Sequence, residues 1–226
     1  MTALLAVAAF TGLDRAELDR IETACRIIEP RDGSQIFAAG DKADAVYAVV
    51  GGAGRVRIGA LDRNSKGLMI EVFGTGDIGV IDGSTRTADA VAEGRVRLLR
   101  ISSRVFLDAL HSNPMLGVNL CGIFAGRLRR TFAMFRDATF ESLEVRLARQ
   151  VLYLAARGGR RTEAGLQLAG RFRQADLADL LGATTRSIIT ILNAWRTDGL
   201  VIYDAAQAQL TLCREDDLRR LIGSDA

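Results

Sequence analysis

The chain has 226 residues, 49% hydrophobic and 25% charged, with 23 Gly and 2 Pro, which fits one or two globular domains and excludes disordered or low-complexity classes. A net charge of +3 with a pI near 9.0 permits a nucleic-acid partner without demanding one. Three cysteines, Cys25, Cys121 and Cys213, lie far apart with no C-x-x-C spacing, so a disulfide framework, an iron–sulfur cluster and a metal site are not supported, and the thiols read as small buried hydrophobes.

The segment Met1 to Phe10 is apolar but has no basic n-region or convincing cleavage site, and it reads as a docking helix. No apolar run is long enough for a membrane span, so a cytoplasmic protein with no membrane partner is expected. Leu13, Leu18, Ile21 and Cys25 have helical spacing, which predicts a helix from Leu13 to Ile28 with Asp14 as its N-cap. After Pro30, short apolar runs alternate with turns such as Asp32-Gly33, Gly40-Asp41, Asp62 to Asn64, Gly74 to Gly76 and Asp82-Gly83. Strands are predicted at Ser34–Phe37, Ala45–Val50, Gly54–Ile58, Leu68–Val72, Ala88–Ala92 and Val96–Ile101, in a β-barrel or jelly roll.

No strand signal remains from Arg104 to about Asp137. His111, beside Ser112 to Pro114, reads as a turn residue, and a lone His builds neither a zinc site nor a catalytic triad. A long helix then carries Leu116, Leu120, Phe124, Leu128, Thr131 and Phe135 in a narrow seam, with Gly122 and Gly126 able to admit another helix. We read Leu120, Phe124, Leu128, Thr131 and Phe135 as a dimer seam, with Arg127, Arg129, Arg130 and Arg136 mostly on the solvated flank. A second helix, Glu141 to about Arg157, repeats Leu143, Leu147, Val151 and Leu154 and is expected to stop at Gly158-Gly159 in a left-handed cap.

The strongest local signal runs from Arg173 to Val201. Leu177, Ala178 and Leu181 line a short helix, Gly182 supplies the turn, and Thr184 caps a second helix that buries Ile188, Ile191, Leu192 and Trp195. This is the helix-turn-helix pattern. Strands at Leu200–Tyr203 and Leu210–Leu212 follow as a wing. Thr185, Arg186, Ile189, Thr190 and Asn193 are left off the buried face, where Arg suits guanine, Asn adenine, and Thr or Ile a thymine methyl. Thr184 and Arg173 complete the candidate DNA-binding set. From Arg146 to Arg196 there are nine Arg and no Lys against Glu163, Asp176 and Asp179, and an acidic stretch follows at Asp198, Asp204 and Glu215 to Asp217. By charge alone that segment reads as a solvated arginine face.

The fold class is therefore α+β: a jelly-roll sensor domain at 1–112, a dimerisation helix at 113–137 and a winged helix-turn-helix at 138–226. This order, with the segments Gly33–Asp41, Val46–Gly52, Asp82–Ala90 and Arg127–Thr131, resembles the Crp/Fnr family of bacterial regulators over nearly the whole chain. The resemblance implies a homodimer on two-fold symmetric double-stranded DNA, RNA polymerase as a further candidate partner, and a cyclic nucleotide as effector. It maps the phosphate-binding pair onto Arg86 and Thr87, and places Asp77 and Thr131 as further ligand contacts. Two departures stand out. The family's cassette carries a Gly-Glu after an earlier Gly-Asp turn, whereas this chain has Gly76-Asp77 alone; either Asp77 replaces the acid or the cassette is shortened, and the preceding hairpin favours shortening. Phe132 follows Thr131 where cyclic-AMP-responsive members carry Ser, and its ring would fill the purine pocket. Both argue against cyclic AMP and leave another ligand, or none, open.

At the base-reading positions Thr185, Arg186 and Thr190 replace the Arg, Glu and Arg of the best-known member, so the operator should differ. The alternative function is a cyclic-nucleotide-binding module acting through protein contacts. No paired carboxylates in a glycine-framed loop, nucleophile elbow or metal spacing supports an enzyme.

Overall fold

A computed structural model describes residues 3–61, 67–79 and 85–223; the turns expected at 62–64 and 82–83 lie outside them. The chain forms two compact units, Met1–Ala60 with Ile70–Arg130, and Leu61–Met69 with Thr131–Ala226.

The first unit begins with two short 3-10 turns, Ala3–Ala6 and Ala8–Phe10, in place of the expected docking helix. Leu4, Val7 and Phe10 are all buried at three-residue spacing, which a path of three residues per turn places on one side. Helix α1 (Arg15–Thr23) starts where Asp14 Oδ1 accepts the N–H of Glu17 at 2.8 Å. The helix does not reach Ile28 as expected. Arg26–Ile28 is strand β1, because Ile27 and its neighbours pair with Leu99 and the rest of a long strand.

Strands β2 (Gln35–Phe37), β3 (Ala45–Gly51), β4 (Arg55–Leu61), β5 (Gly67–Phe73), β6 (Ile78–Gly79), β7 (Asp89–Glu93) and β8 (Arg97–Ser102) follow. They form two sheets, β1-β8-β3-β6 and β2-β7-β4-β5. Helices α2 (Ser103–Ser112) and α3 (Pro114–Phe140) complete this part, α3 opening on a proline at its first position. His111 is in the last turn of α2 and exposed, not in a loop, since the helix runs on to Ser112.

Val49, Val56, Ala90, Ala92, Val96 and Leu98 form one core cluster of the barrel. A second cluster joins Val46, Ala48, Leu99 and Ile101 to the 3-10 turns, α1, and Leu116 and Leu120 of α3. β3 thus contributes alternate residues to both clusters, which is why it reads as a continuous apolar run. Leu120, expected in the dimer seam, belongs to this core at 4% exposure. Asn119 Nδ2 fixes the same helix to the first residues, donating to Ala9 O at 3.0 Å and Thr11 O at 2.7 Å.

The cysteines are not the buried hydrophobes expected: Cys25 and Cys213 are half-buried and Cys121 is exposed, because it lies on the face of α3 turned away from Leu120. Cys25 Sγ donates to Ile21 O at 2.9 Å. Burial, reinforced by the charge of Glu22, pushes its thiol up to about 11.

The second unit contains α4 (Leu143–Gly158), α5 (Gln174–Leu181), α6 (Thr185–Thr197) and α7 (Glu215–Leu221), with strands β9 (Arg160–Thr162), β10 (Gly165–Gln167), β11 (Val201–Asp204) and β12 (Gln209–Leu212). Ser142 caps α4, accepting the N–H of Val145 at 3.3 Å, and Leu147, Val151 and Leu154 are buried along it. The stop at Gly159 is not left-handed: its φ of −62° and ψ of 146° are extended. Glycine is needed there for space, since a Cβ would sit 2.5 Å from Ala155 O and 3.0 Å from Leu166 Cδ1 of the adjoining β10. The wing β11-β12 is not isolated but joins β10 and β9 in the order β11-β12-β10-β9. The junction before α4 is held by Asp137, buried inside α3, which pairs with Arg149; Arg149 also reaches Glu141 Oε1 at 3.2 Å.

Candidate functional site

The geometry of the helix pair follows from one dihedral. Gly182 ends α5 with φ +61°, and Ala183 N–H donates back to Ala178 O at 2.9 Å. Nothing lies within 4 Å of a Cβ added at Gly182, so the left-handed backbone, not crowding, asks for glycine. Thr184 then caps α6, its Oγ1 accepting the N–H of Ser187 at 3.2 Å. Ile188, Leu192 and Trp195 are fully buried, whereas Ile191 is only half-buried.

The opposite side of α6 faces solvent with Thr185, Arg186, Thr190 and Asn193 exposed and Ile189 half-exposed. The Arg186 guanidinium makes no ion pair or hydrogen bond among the described residues. The Thr190 hydroxyl donates to Arg186 O at 3.1 Å, which leaves its methyl group and oxygen lone pairs for other contacts. Asn193 Oδ1 accepts from Arg196 Nη1 at 3.2 Å.

Arg173 lies elsewhere, at the start of α5. Its backbone N–H and its guanidinium both bind the buried Asp176 carboxylate at 2.9 Å. Arg146 likewise donates to Leu181 O. The arginine surplus read as a solvated face therefore divides: Arg146 and Arg149 make contacts distant in sequence, Arg173 pairs locally with Asp176 while its side chain stays largely exposed, and Arg186 makes no such contact among the described residues.

In the first unit, a cavity of about 560 Å³ is lined by residues including Phe37, Tyr47, Val56, Ile58, Arg86 and Leu98. Arg86 is buried, and its guanidinium lies 4.2 Å from the Phe37 ring centre and 5.5 Å from that of Tyr47. Its Nη2 donates to Ala45 O, while its Nε has no hydrogen-bond partner among the described residues. Burial lowers the Arg86 pKa from its ordinary value, and the nearby groups Tyr47, Asp44 and Asp41 offset part of that. Thr87 also lines the cavity, as do Phe124 and Arg127 of α3. Arg127 stacks on Phe73 at 4.6 Å and donates to Ile78 O at 2.8 Å.

Asp77 is not among the lining residues. It closes its own turn, its Oδ2 accepting the N–H of Gly74 at 2.8 Å, with Gly76 at φ +97°. Thr131 and Phe132 lie on the outer face of α3, exposed in the single chain, Phe132 at 64%.

That outer face carries a stripe the sequence reading placed only in part. Val118, Cys121, Ala125, Leu128, Phe132 and Phe135 are all exposed, at steps of three and four. This is the alternation of a two-helix seam. Leu128 and Phe135 are common to this stripe and to the seam expected from the sequence; Val118, Cys121, Ala125 and Phe132 fall outside that seam, whose steps of four begin at the core residues Leu116 and Leu120.

Residues 28–113 match the cyclic nucleotide-binding domain, and residues 145–221 match the Crp-like helix-turn-helix domain. The CRP-like cAMP-activated global transcriptional regulator of Mycobacterium tuberculosis is 25% identical over 183 residues, covering 79% of this chain and 81% of that protein. The cyclic AMP receptor protein of Thermus thermophilus is 27% identical over 197 residues, covering 85% and 87%. Among solved structures, FixK2 from Bradyrhizobium japonicum has a TM-score of 0.78 at 21% identity, covering 89% of this chain and 99% of that one. The c-di-GMP responsive global regulator CLP of Xanthomonas campestris has a TM-score of 0.69 at 22% identity, covering 88% and 99%. With a cyclic nucleotide-binding domain followed by a Crp-like helix-turn-helix, the chain belongs to the Crp/Fnr family of transcriptional regulators.

Proposed function

We propose that the protein is a homodimeric, sequence-specific DNA-binding regulator that places α6 in the major groove and answers to a small ligand in its front domain. The observation that carries this reading is α6 itself. Its apolar side is locked by Ile188, Leu192 and Trp195, and its other side presents Thr185, Arg186, Thr190 and Asn193 to solvent. An anchored helix with exposed groups suited to base edges is what major-groove reading requires.

The exposed stripe from Val118 to Phe135 supports pairing of two copies through α3. Such a dimer has two-fold symmetry, and its operator would be palindromic. RNA polymerase is then the partner through which the bound dimer acts on transcription, and the cytoplasm is where it works. Relatives named as cAMP-activated and a structural neighbour named as c-di-GMP responsive support ligand control as the mode of regulation.

Selection of bound duplexes from a random pool, with and without cyclic AMP and cyclic GMP, tests the proposal. Two inverted half-sites about one helical turn apart are expected. Failure to enrich any sequence would overturn it.

A further inference from the structure

Arg86 is a buried cation with no acidic partner among the described residues. Its ring contacts and the Ala45 carbonyl occupy part of the guanidinium, yet the Nε–H has no acceptor among the described residues. Among the described residues it forms no ion pair with a carboxylate. Asp44 is engaged with Arg100 at 2.8 Å, and Asp41 accepts the N–H of Ala38 at 2.8 Å. A buried charge in this condition is stable only when an anion completes it.

The rest of the cavity says what that anion is attached to. Apart from Arg86, Arg127 and the hydroxyls of Thr85, Thr87 and Tyr47, the described lining is aliphatic and aromatic, with Phe37, Tyr47, Phe73 and Phe124 supplying four rings. No carboxylate is among the described lining residues; Asp77 is taken up by its own turn, and Asp82 lies outside the described residues. A ribose placed here would meet, beyond the hydroxyls of Thr85, Thr87 and Tyr47, no described side-chain acceptor for its hydroxyls, a cost that an apolar body avoids. About 560 Å³ is ample for a ligand of one or two rings.

We propose that this cavity takes an aromatic monocarboxylate, with its carboxylate on the Nε edge of Arg86 and its rings among Phe37, Tyr47, Val56, Ile58 and Leu98. The inference rests on the reading of the front domain as a ligand sensor and narrows the ligand class. Phe124 and Arg127 would bring the same ligand against α3, the helix that bears the exposed stripe.

The test uses the full chain and calorimetric titration with benzoate, indole-3-acetate and 1-naphthoate, beside 1-naphthamide, cyclic AMP and cyclic GMP. At least one acid is expected to bind saturably with a Kd below about 1 mM. Where 1-naphthoate binds, its neutral amide should bind at least about tenfold more weakly, since a charge-assisted hydrogen bond is lost. Arg86→Gln should remove the preference for acid over amide, and circular dichroism reports whether that variant folds; the acid–amide comparison on the parent chain needs no variant. The proposal is overturned if no acid saturates, if amide and acid bind alike, or if a cyclic nucleotide binds more tightly than every acid. DNA selection is read separately, so loss of ligand binding and loss of DNA reading are distinguishable.

Discussion

Trp195 Nε1 donates a 2.8 Å hydrogen bond to Glu144 Oε1, and so ties helix α6 to the first turn of α4. The indole is 1% exposed, so both its area and its N–H matter. Trp195→Phe keeps most of the packing and loses the donor, at a cost of about 1–2 kcal/mol. Trp195→Ala should cost about 3–5 kcal/mol. Urea unfolding of the full chain measures both; equal midpoints for parent and Trp195→Phe would remove the hydrogen bond from the account.

Arg186 has an exposed guanidinium on α6, unpaired among the described residues, so its loss should leave the fold intact. Arg186→Ala is expected to weaken binding to the selected operator by about 1–3 kcal/mol and to relax preference at one base pair per half-site. Competition binding against single-base operator variants checks this. A uniform loss across all variants would instead assign Arg186 to the phosphate backbone.

The stripe on α3 predicts the oligomeric state. Leu128→Glu combined with Phe135→Glu places like charges along the seam and should shift the protein from dimer to monomer in analytical ultracentrifugation. Leu120→Ala should not act this way, since Leu120 is packed in its own core; it should lower stability by about 2–5 kcal/mol. Cys121, exposed on the same stripe, should cross-link two copies under mild oxidation, and a chain that stays monomeric on reducing-free gels would contradict the seam.

Cys25 predicts a pH dependence. Burial raises its thiol from 9.0 to about 11, so the folded chain holds the proton longer than the unfolded chain does. The stabilisation is complete below about pH 9 and is lost as pH rises towards 11. Thermal midpoints should fall across that window in the parent and fall less in Cys25→Ala. At pH 8, alkylation of Cys25 should be on the order of a hundredfold slower in the native chain than in urea.

Much of this architecture was legible because local chemistry and tertiary context agree. Gly182, Thr184 and the Ile188–Leu192–Trp195 face each signal the same helix pair, and the strands of the front domain announce themselves by turns. The failures have a common cause. Arg26–Ile28 carries residues a helix would accept, and only pairing with β8 makes it a strand. Gly159 looks like a cap until Leu166 is brought beside it. Leu116 and Leu120 share the helical spacing of the outer stripe, and only the core they enter separates them from it. The open edge of Arg86 was equally hidden: the sequence marks an arginine suited to phosphate, but not that among the described residues its direct contacts are rings and a carbonyl.

The two sides of α6 have different evolutionary freedoms. Ile188, Leu192 and Trp195 hold the domain, and substitutions there are constrained by folding. Thr185, Arg186, Thr190 and Asn193 contribute little to that core, so exchanges among them change stability by only about 0.5 kcal/mol. New operator preferences are therefore accessible one residue at a time, by natural drift or by directed selection, without first stabilising the scaffold.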